Sequence, residues 1–301
     1  MAVQIPYRRQ LAFEYGEVAR LSPRIRRVIA RNPSPFTFHG TGTYIIGNGD
    51  VAVIDPGPAD VAHVDALLKA THGERITHVL VTHTHMDHSP GCAILAGHCD
   101  ALRYAYGPHG AGKIEAGVPV EEGGDMQFVP DVEVRHGHVI DGGDWSMECV
   151  YTPGHTSNHI CYHLREEKAL FTGDHVMGWS TSVISPPDGD MGHYMQSLEL
   201  LLERDDAVYW PTHGPSIDAP KPHVQAFVAH RREREAQILE CIDRGVVRIR
   251  EMVPPMYRDV PEFMYPAAAR SVFAAVMFLV ERGVLQPDGP LDIEAPYLRA
   301  R

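Results

Sequence analysis

Residues 81–91 read VTHTHMDHSPG, so three histidines and an aspartate fall within six positions, directly after the apolar-rich run Ile76-Thr77-His78-Val79-Leu80-Val81. Side chains at i and i+2 of an extended segment point the same way, so His83 and His85 can share one metal ion. Asp87 and His88, at the bend that follows, can reach a second ion. Neither ion would be held by two ligands, so the chain must fold to bring further imidazoles or carboxylates to this strand end from other loops. That demand constrains the fold more tightly than any bulk property.

Three downstream loops meet it. TPGHT follows the strand-like run ending at Tyr151 and offers His155; FTGDH ends the run Ala169–Phe171 and offers Asp174; PTHGP follows Ala207–Trp210 and offers His213. Each polar residue is preceded by apolar strand and flanked by Gly or Pro, as when a rigid scaffold projects side chains from loops.

The elements between these loops follow from periodicity. TYIIGNGDVAVIDPG, from Thr43, reads as a hairpin around Gly-Asn-Gly-Asp, and Ala59–Ala70 carries Val61, Val64, Leu67 and Leu68 at helical spacing. With the strand Ile76–Val81 this makes a βαβ-like unit. Two further strand pairs turn at Asp141-Gly142-Gly143-Asp144 and Arg165-Glu166-Glu167, Tyr194–Leu202 reads as helix, and Pro222–Arg244 as a long helix. Beyond Pro220 strand signals are weak and Pro254-Pro255 reads as a break. Residues 217–301 are therefore expected to form a helical appendage to a catalytic domain over residues 1–216.

The ordered set T-H-x-H-x-D-H, T-P-G-H-T, T-G-D and T-H-G-P resembles the metallo-β-lactamase superfamily over roughly residues 36–217. The stretch from Tyr151 to about Arg232 is most similar to the branch called β-lactamase-like protein 2, which carries a winged-helix-like tail and includes endoribonucleases. The resemblance implies an α/β fold, an αββα sandwich with metals in a cleft at one edge. It implies that His83, His85 and His155 hold a first ion, that Asp87, His88 and His213 hold a second, and that Asp174 bridges them. Thr212 departs from the family, where Gly commonly precedes the last ligand. His159 matches the second His of the family's G-H-T-x-x-H pattern and is expected to support a ligand rather than be one. Asp55, in VIDPG, is either ordinary turn chemistry or the carboxylate that fixes a ligand imidazole from beneath the metal loop. Tyr194 is either a core or rim tyrosine or a phenol that could lend itself to a developing oxyanion.

Two divalent ions about 3.5–4 Å apart can share a water and lower its pKa toward ~7. The expected activity is thus a dinuclear metal-dependent hydrolase, with two Zn2+ per chain (Fe or Mn possible), in which the shared hydroxide attacks a small ester, thioester or lactone. Asp87 would also orient that nucleophile and carry its proton to the leaving group. Asp174 stands where many zinc β-lactamases carry Cys, and His85 where diiron oxygen-reducing members place Glu, so neither of those activities is favoured. The alternatives are a metal-dependent endoribonuclease and an iron-dependent thiol dioxygenase-like oxidoreductase; a metal-free scaffold is disfavoured by the complete ligand set.

Composition sets the remaining bounds. A net charge of −12 opposes general attraction to phosphate backbones, so the expected partner is a small molecule, with nucleic acid possible but not favoured and a homo-oligomer possible. No run approaches the ~20 apolar residues of a membrane span, the longest being Val272–Val280, so no membrane partner is expected. Seven arginines in the first 31 residues stand against Glu14 and Glu17 with no apolar signal core, which reads as an ordinary solvated start. Five cysteines without a C-x-x-C pair read as reduced thiols in a cytoplasmic chain.

Overall fold

The computed structural model describes residues 3–110, 123–258 and 260–301. Seven strands lie side by side in sequence order in one sheet: β1 (Ala19–Arg20), β2 (Ile25–Ile29), β3 (Gly42–Ile46), β4 (Asp50–Ile54), β5 (Arg75–Leu80), β6 (Leu102–Ala105) and β7 (Val132–Glu133). A second sheet contains β8 (Val139–Asp141), β9 (Ser146–Tyr151), β10 (Ile160–Leu164), β11 (Ala169–Gly173) and β12 (Val208–Pro211), with β8 and β12 at its edges. The expected hairpin is β3–β4, whose turn places Gly47 and Gly49 at φ of 90° and 79°, a backbone region glycine enters without a Cβ penalty. Helix α1 (Val61–Ala70) begins where the Asp60 carboxylate accepts the Ala62 N–H, and it returns the chain to β5, which runs parallel to β4.

The layer order follows from the two-residue period of the strands. Tyr44, Ile46, Ala52, Ile54 and Leu80 face the second sheet, where they meet Met147, Cys149, Tyr162, Leu164, Ala169 and Phe171. The alternate residues Ile45, Val51, Val53 and Val79 pack outward on α1 and on α2 (Gly91–Leu95). On the other side, Val150, Cys161 and Leu170 pack outward on α3 (Met191–Leu202) and α4 (Pro220–Asp243). The result is helix, sheet, sheet, helix. Trp145 closes the inter-sheet layer: it is fully buried, its Nε1 donates to the Asp50 carbonyl at 3.1 Å, and a Cβ on Gly142 would sit 1.9 Å from its ring.

Three expectations change. The N-terminal residues are not simply a solvated start: β2 is buried along its whole length, Arg26 included, whose guanidinium donates to the Ala70 carbonyl and pairs with Glu74 at 2.7 Å. Pro254-Pro255 does not interrupt a helix but lies inside α5 (Ile249–Met256). Both prolines sit in its last turn, where the N–H groups they lack would have bonded the carbonyls of Arg250 and Glu251, residues that are exposed to water. The C-terminal region is also more than helices: after α6 (Tyr265–Glu281), β13 (Leu285–Pro287) and β14 (Tyr297–Arg299) form a small antiparallel sheet. This region shares one continuous apolar core with α3 and the second sheet, through Val224, Phe227, Val272 and Val276.

Among the described residues, one helix, Glu262–Glu281, is long and apolar enough to cross a membrane by length and composition. Its Ala268, Val272, Val276 and Leu279 pack into that core. All five cysteines are free thiols.

Replacing Trp145 with Ala removes the largest side chain between the sheets, and the expected cost is about 3–5 kcal/mol of stability. Urea denaturation followed by circular dichroism checks this; a change under ~1 kcal/mol would show that the layer repacks without it.

Candidate metal centre

Five strands deliver side chains to one edge of the sandwich from their C-terminal ends. Asp55 follows β4, His83 to His88 follow β5, His155 follows β9, Asp174 follows β11 and His213 follows β12. The two sheets are tied together at this edge. The Ile160 N–H donates to the Thr82 carbonyl at 2.8 Å, the Gly42 N–H to the Thr212 carbonyl at 2.8 Å, and the Tyr44 hydroxyl to the Pro211 carbonyl at 2.6 Å. Loops that start from paired strands, and that run on into helices or, for His155, into β10, hold their side chains with little freedom, which suits a site that must be built before its ligand arrives.

All seven side chains expected as ligands come together here. His83, His85 and His155 form one group, Asp87, His88 and His213 another, and Asp174 joins His83 and His88 in a third, the candidate ligand atoms of each group lying within 4.8 Å of one another. His85 Nδ1 is 3.0 Å from His83 Nε2 and 3.2 Å from His155 Nε2. Asp174 Oδ2 lies between the groups, 3.4 Å from His213 Nε2, 3.7 Å from His88 Nε2 and 4.0 Å from His155 Nε2.

The ring orientations are set from behind. His155 Nδ1 donates to the Val183 carbonyl at 2.6 Å, which turns Nε2 toward the cluster. His213 Nδ1 faces the Gly40 carbonyl at 3.3 Å and His88 Nδ1 donates to Asp55 at 2.9 Å, with the same effect. Asp87 accepts from the Thr41 hydroxyl at 3.1 Å, and Thr41 is itself held by Asn32.

Of the two readings of Asp55, the carboxylate that fixes an imidazole is the one its contacts display. It is fully buried and accepts from the Thr82 N–H, the Thr82 hydroxyl, His88 and the Thr212 hydroxyl at 2.7–2.9 Å. Thr212, the departure from the family's Gly, thus supplies one of the four donors. Asp55 takes a φ of 49°, a conformation costing roughly 1–3 kcal/mol for a residue with a Cβ, which the four bonds hold in place. His159 also lies behind the ligands: its Nε2 accepts the Asp174 N–H at 3.3 Å, which leaves Nδ1 to donate to Thr152 at 2.9 Å.

Tyr194 is elsewhere. Its ring is fully buried in the α3 core and its hydroxyl donates to the His175 carbonyl at 2.8 Å, so the phenol is already bonded and faces no open cleft. Tyr194 shares the buried face of α3 with Met191, Met195 and Leu198, which accounts for this placement.

Charge divides the cluster. Burial and the neighbouring imidazoles hold His83 well below the ordinary imidazole range, burial and His155 do the same to His85, and burial lowers His155. These three rings present lone pairs. Burial also disfavours protonation of His88, but Asp87, Asp174 and Asp55 outweigh it and hold the ring well above its usual range. His213 is likewise pushed up to about 10, with Asp174 and Asp87 overcoming burial. For Asp174, burial raises the carboxyl and His213 and His88 reverse this, holding it well below the carboxylate range.

A cation fits this donor set. His88 Nε2 and Asp174 Oδ1 are buried with no hydrogen-bond partner among the described residues, and His85 Nδ1 lies against nitrogens of two other neutral imidazoles, a crowding of donor atoms that a cation between them would stabilise. Five imidazoles and two carboxylates, with no thiolate, suit a borderline divalent ion.

With the geometry in place, the comparisons with known proteins are direct. Residues 37–213 match the family model described as the metallo-beta-lactamase superfamily. The chain belongs to that superfamily. Residues 249–289 match the beta-lactamase associated winged helix domain, which covers α5, α6 and β13. Among curated relatives, the chain is 30% identical to the beta-lactamase-like protein 2 homolog of Drosophila melanogaster, over 92% of this chain and 94% of that one. It is 35% identical to an atrochrysone carboxyl ACP thioesterase of Aspergillus fumigatus, over 74% of this chain and 66% of that one. A beta-lactamase domain protein from Burkholderia ambifaria shares the fold, with a TM-score of 0.80 at 19% identity across 98% of this chain and 97% of that one. The superfamily, the thioesterase-named relative and the His/Asp cluster together identify a metal-dependent hydrolase.

Asp55→Asn tests the hub behind the cluster. An amide cannot accept from four donors, so His88 loses its anchor, and affinity for a divalent ion at the Asp87, His88 and His213 group is expected to fall about 10–100-fold. Zinc titration against a chromogenic chelator reads it; unaltered affinity would show that Asp55 is turn chemistry alone.

Proposed function

We propose that this chain is a dinuclear zinc hydrolase of a small carboxyl derivative (an ester, thioester or lactone), with a thioester the first class to test. The observation that carries the reading is the position of Asp174, whose Oδ2 stands between the nitrogens of the two ligand groups. His83, His85 and His155 would hold one ion, Asp87, His88 and His213 the other, and Asp174 both. Divalent ions held there activate water and polarise the carbonyl under attack.

The chain's own residues do the rest. Asp87 retains partial solvent exposure and touches both His88, at 3.4 Å, and His213, at 3.1 Å, so its second oxygen is placed to orient a water and to pass its proton to the leaving group. Thr41 keeps that carboxylate from turning away. No serine or cysteine nucleophile is required. The thioester is named first because relatives at 32% and 35% identity bear thioesterase names.

The arginines of α4 and its surroundings favour a small substrate over RNA. Arg231 is buried, Arg232 lies 3.8 Å from Glu199, Arg234 donates to the Met256 carbonyl, and Arg244 pairs with Glu240. Arg231 and Arg234 are engaged within the fold and Arg232 and Arg244 face acidic partners, which weakens any basic track these four could offer a phosphate backbone. A small-molecule partner and a cytoplasmic setting remain part of this proposal.

Zinc-loaded protein assayed on an acyl thioester, an aryl ester, a lactone, a β-lactam and single-stranded RNA decides the class. We expect hydrolysis of one of the first three, abolished by chelation, restored by zinc and reduced at least ~100-fold in Asp87→Ala. RNA cleavage alone, or oxygen consumption by an iron-loaded form, would assign the chain to another reaction, and full activity in Asp87→Ala would remove the aspartate from the chemistry.

A further inference from the structure

Residues 174–190, between β11 and α3, form an irregular segment that borders the metal centre at its start and near its middle: Asp174 opens it, and the Val183 carbonyl orients His155. Without a sheet or helix ladder, such a segment keeps its shape only through bonds to its neighbours. Most of these come from its carbonyls. The Ser182 hydroxyl and the Tyr194 hydroxyl both donate to the His175 carbonyl, at 2.7 and 2.8 Å. His223 Nε2 donates to the Met177 carbonyl at 3.1 Å, and the Arg8 N–H to the Gly178 carbonyl at 2.8 Å. Arg231 Nη2 donates to the Ser182 carbonyl at 2.5 Å.

His223, Phe227 and Arg231 are spaced four apart and all buried, so one face of α4 is the template on which this segment lies. Arg231 is the unusual member. It is 5% exposed, it forms no ion pair among those between described residues, its Nε has no partner, and it sits with its guanidinium 5.0 Å from the centre of the Tyr194 ring. A buried charge without a counter-charge costs several kcal/mol relative to an apolar side chain of similar volume. Its retention is explained by what an apolar residue could not supply, a charged donor reaching the carbonyl next to the one that fixes a metal ligand.

We propose that Arg231 is a positioning residue of the metal centre: by holding the Ser182 carbonyl it fixes the adjacent Val183 carbonyl and so the ring of His155. The inference rests on the metal-binding reading above and extends the working centre to α4, beyond the residues that match the superfamily domain. It assigns the loss to one ion, because the Val183 carbonyl bonds His155, a member of the His83, His85 and His155 group.

Zinc titration in competition with chelators, on the full chain, tests it without any substrate. Arg231→Met is expected to weaken the ion bound by His83, His85 and His155 about 10–100-fold while leaving the Asp87, His88 and His213 ion near its wild-type affinity. Arg231→Lys, whose ammonium can still donate to a carbonyl, is expected to recover most of that loss. Ile242→Ala, a buried change farther along α4, serves as a control for destabilisation alone and is expected to lower Tm without moving zinc affinity. Equal zinc affinities for Arg231→Met and wild type, or a loss that Ile242→Ala reproduces, would overturn the proposal. A wild-type chain that takes up no zinc would instead overturn the metal-binding reading on which it stands.

Discussion

The Asp55 carboxylate holds the two sheets and the ligand cluster to one another. It is buried directly after β4 and bonded to the Thr82 that starts the metal loop after β5, to His88 inside that loop, and to Thr212 after β12 of the other sheet. Charge-assisted bonds of this kind are about twice as strong as neutral ones, and an unpaired carboxylate at the same depth would cost far more than any one of them contributes. The left-handed backbone at Asp55 is therefore maintained by the surroundings, and the direction of His88 follows from it.

From that point the architecture explains the chemistry. Strands that end at one edge present loops there, and bonds between the sheets keep those loops in register, so residues as far apart in sequence as Thr41 and His213 meet. The cluster then sorts itself by charge. Rings on which burial outweighs the carboxylates stay neutral, whereas the aspartates beside His88 and His213 outweigh burial and keep those rings protonated. A divalent ion entering the second group must displace those protons, so metal uptake and proton release are linked there. The aspartates that stabilise those protonated rings are the ones that would hold the ion.

Much of the site was legible in the sequence because each ligand sits in a short motif directly after an apolar strand, and strand ends are where side chains can converge. Asp174 and His213 needed no long-range knowledge beyond that. Tyr194 could not be decided between core and oxyanion donor: a phenol at the start of an apolar helix points wherever the helix packs, and α3 turns it into the core toward His175. β2 was missed since its arginines hide the usual strand pattern; Arg26 is buried only because Ala70 and Glu74 come to meet it. The prolines of α5 looked like a break because local rules do not say that the helix ends within their turn. Arg231 carried no signal at all, for its role depends on a carbonyl 49 residues away in the chain.

Anomalous diffraction at the zinc edge from crystals of the zinc-loaded chain tests the central claim most directly. Two peaks per chain are predicted, one within ~2.0–2.1 Å of nitrogens of His83, His85 and His155, the other against Asp87, His88 and His213, with Asp174 reaching both. A single peak, or none near these residues at saturating zinc, would contradict it.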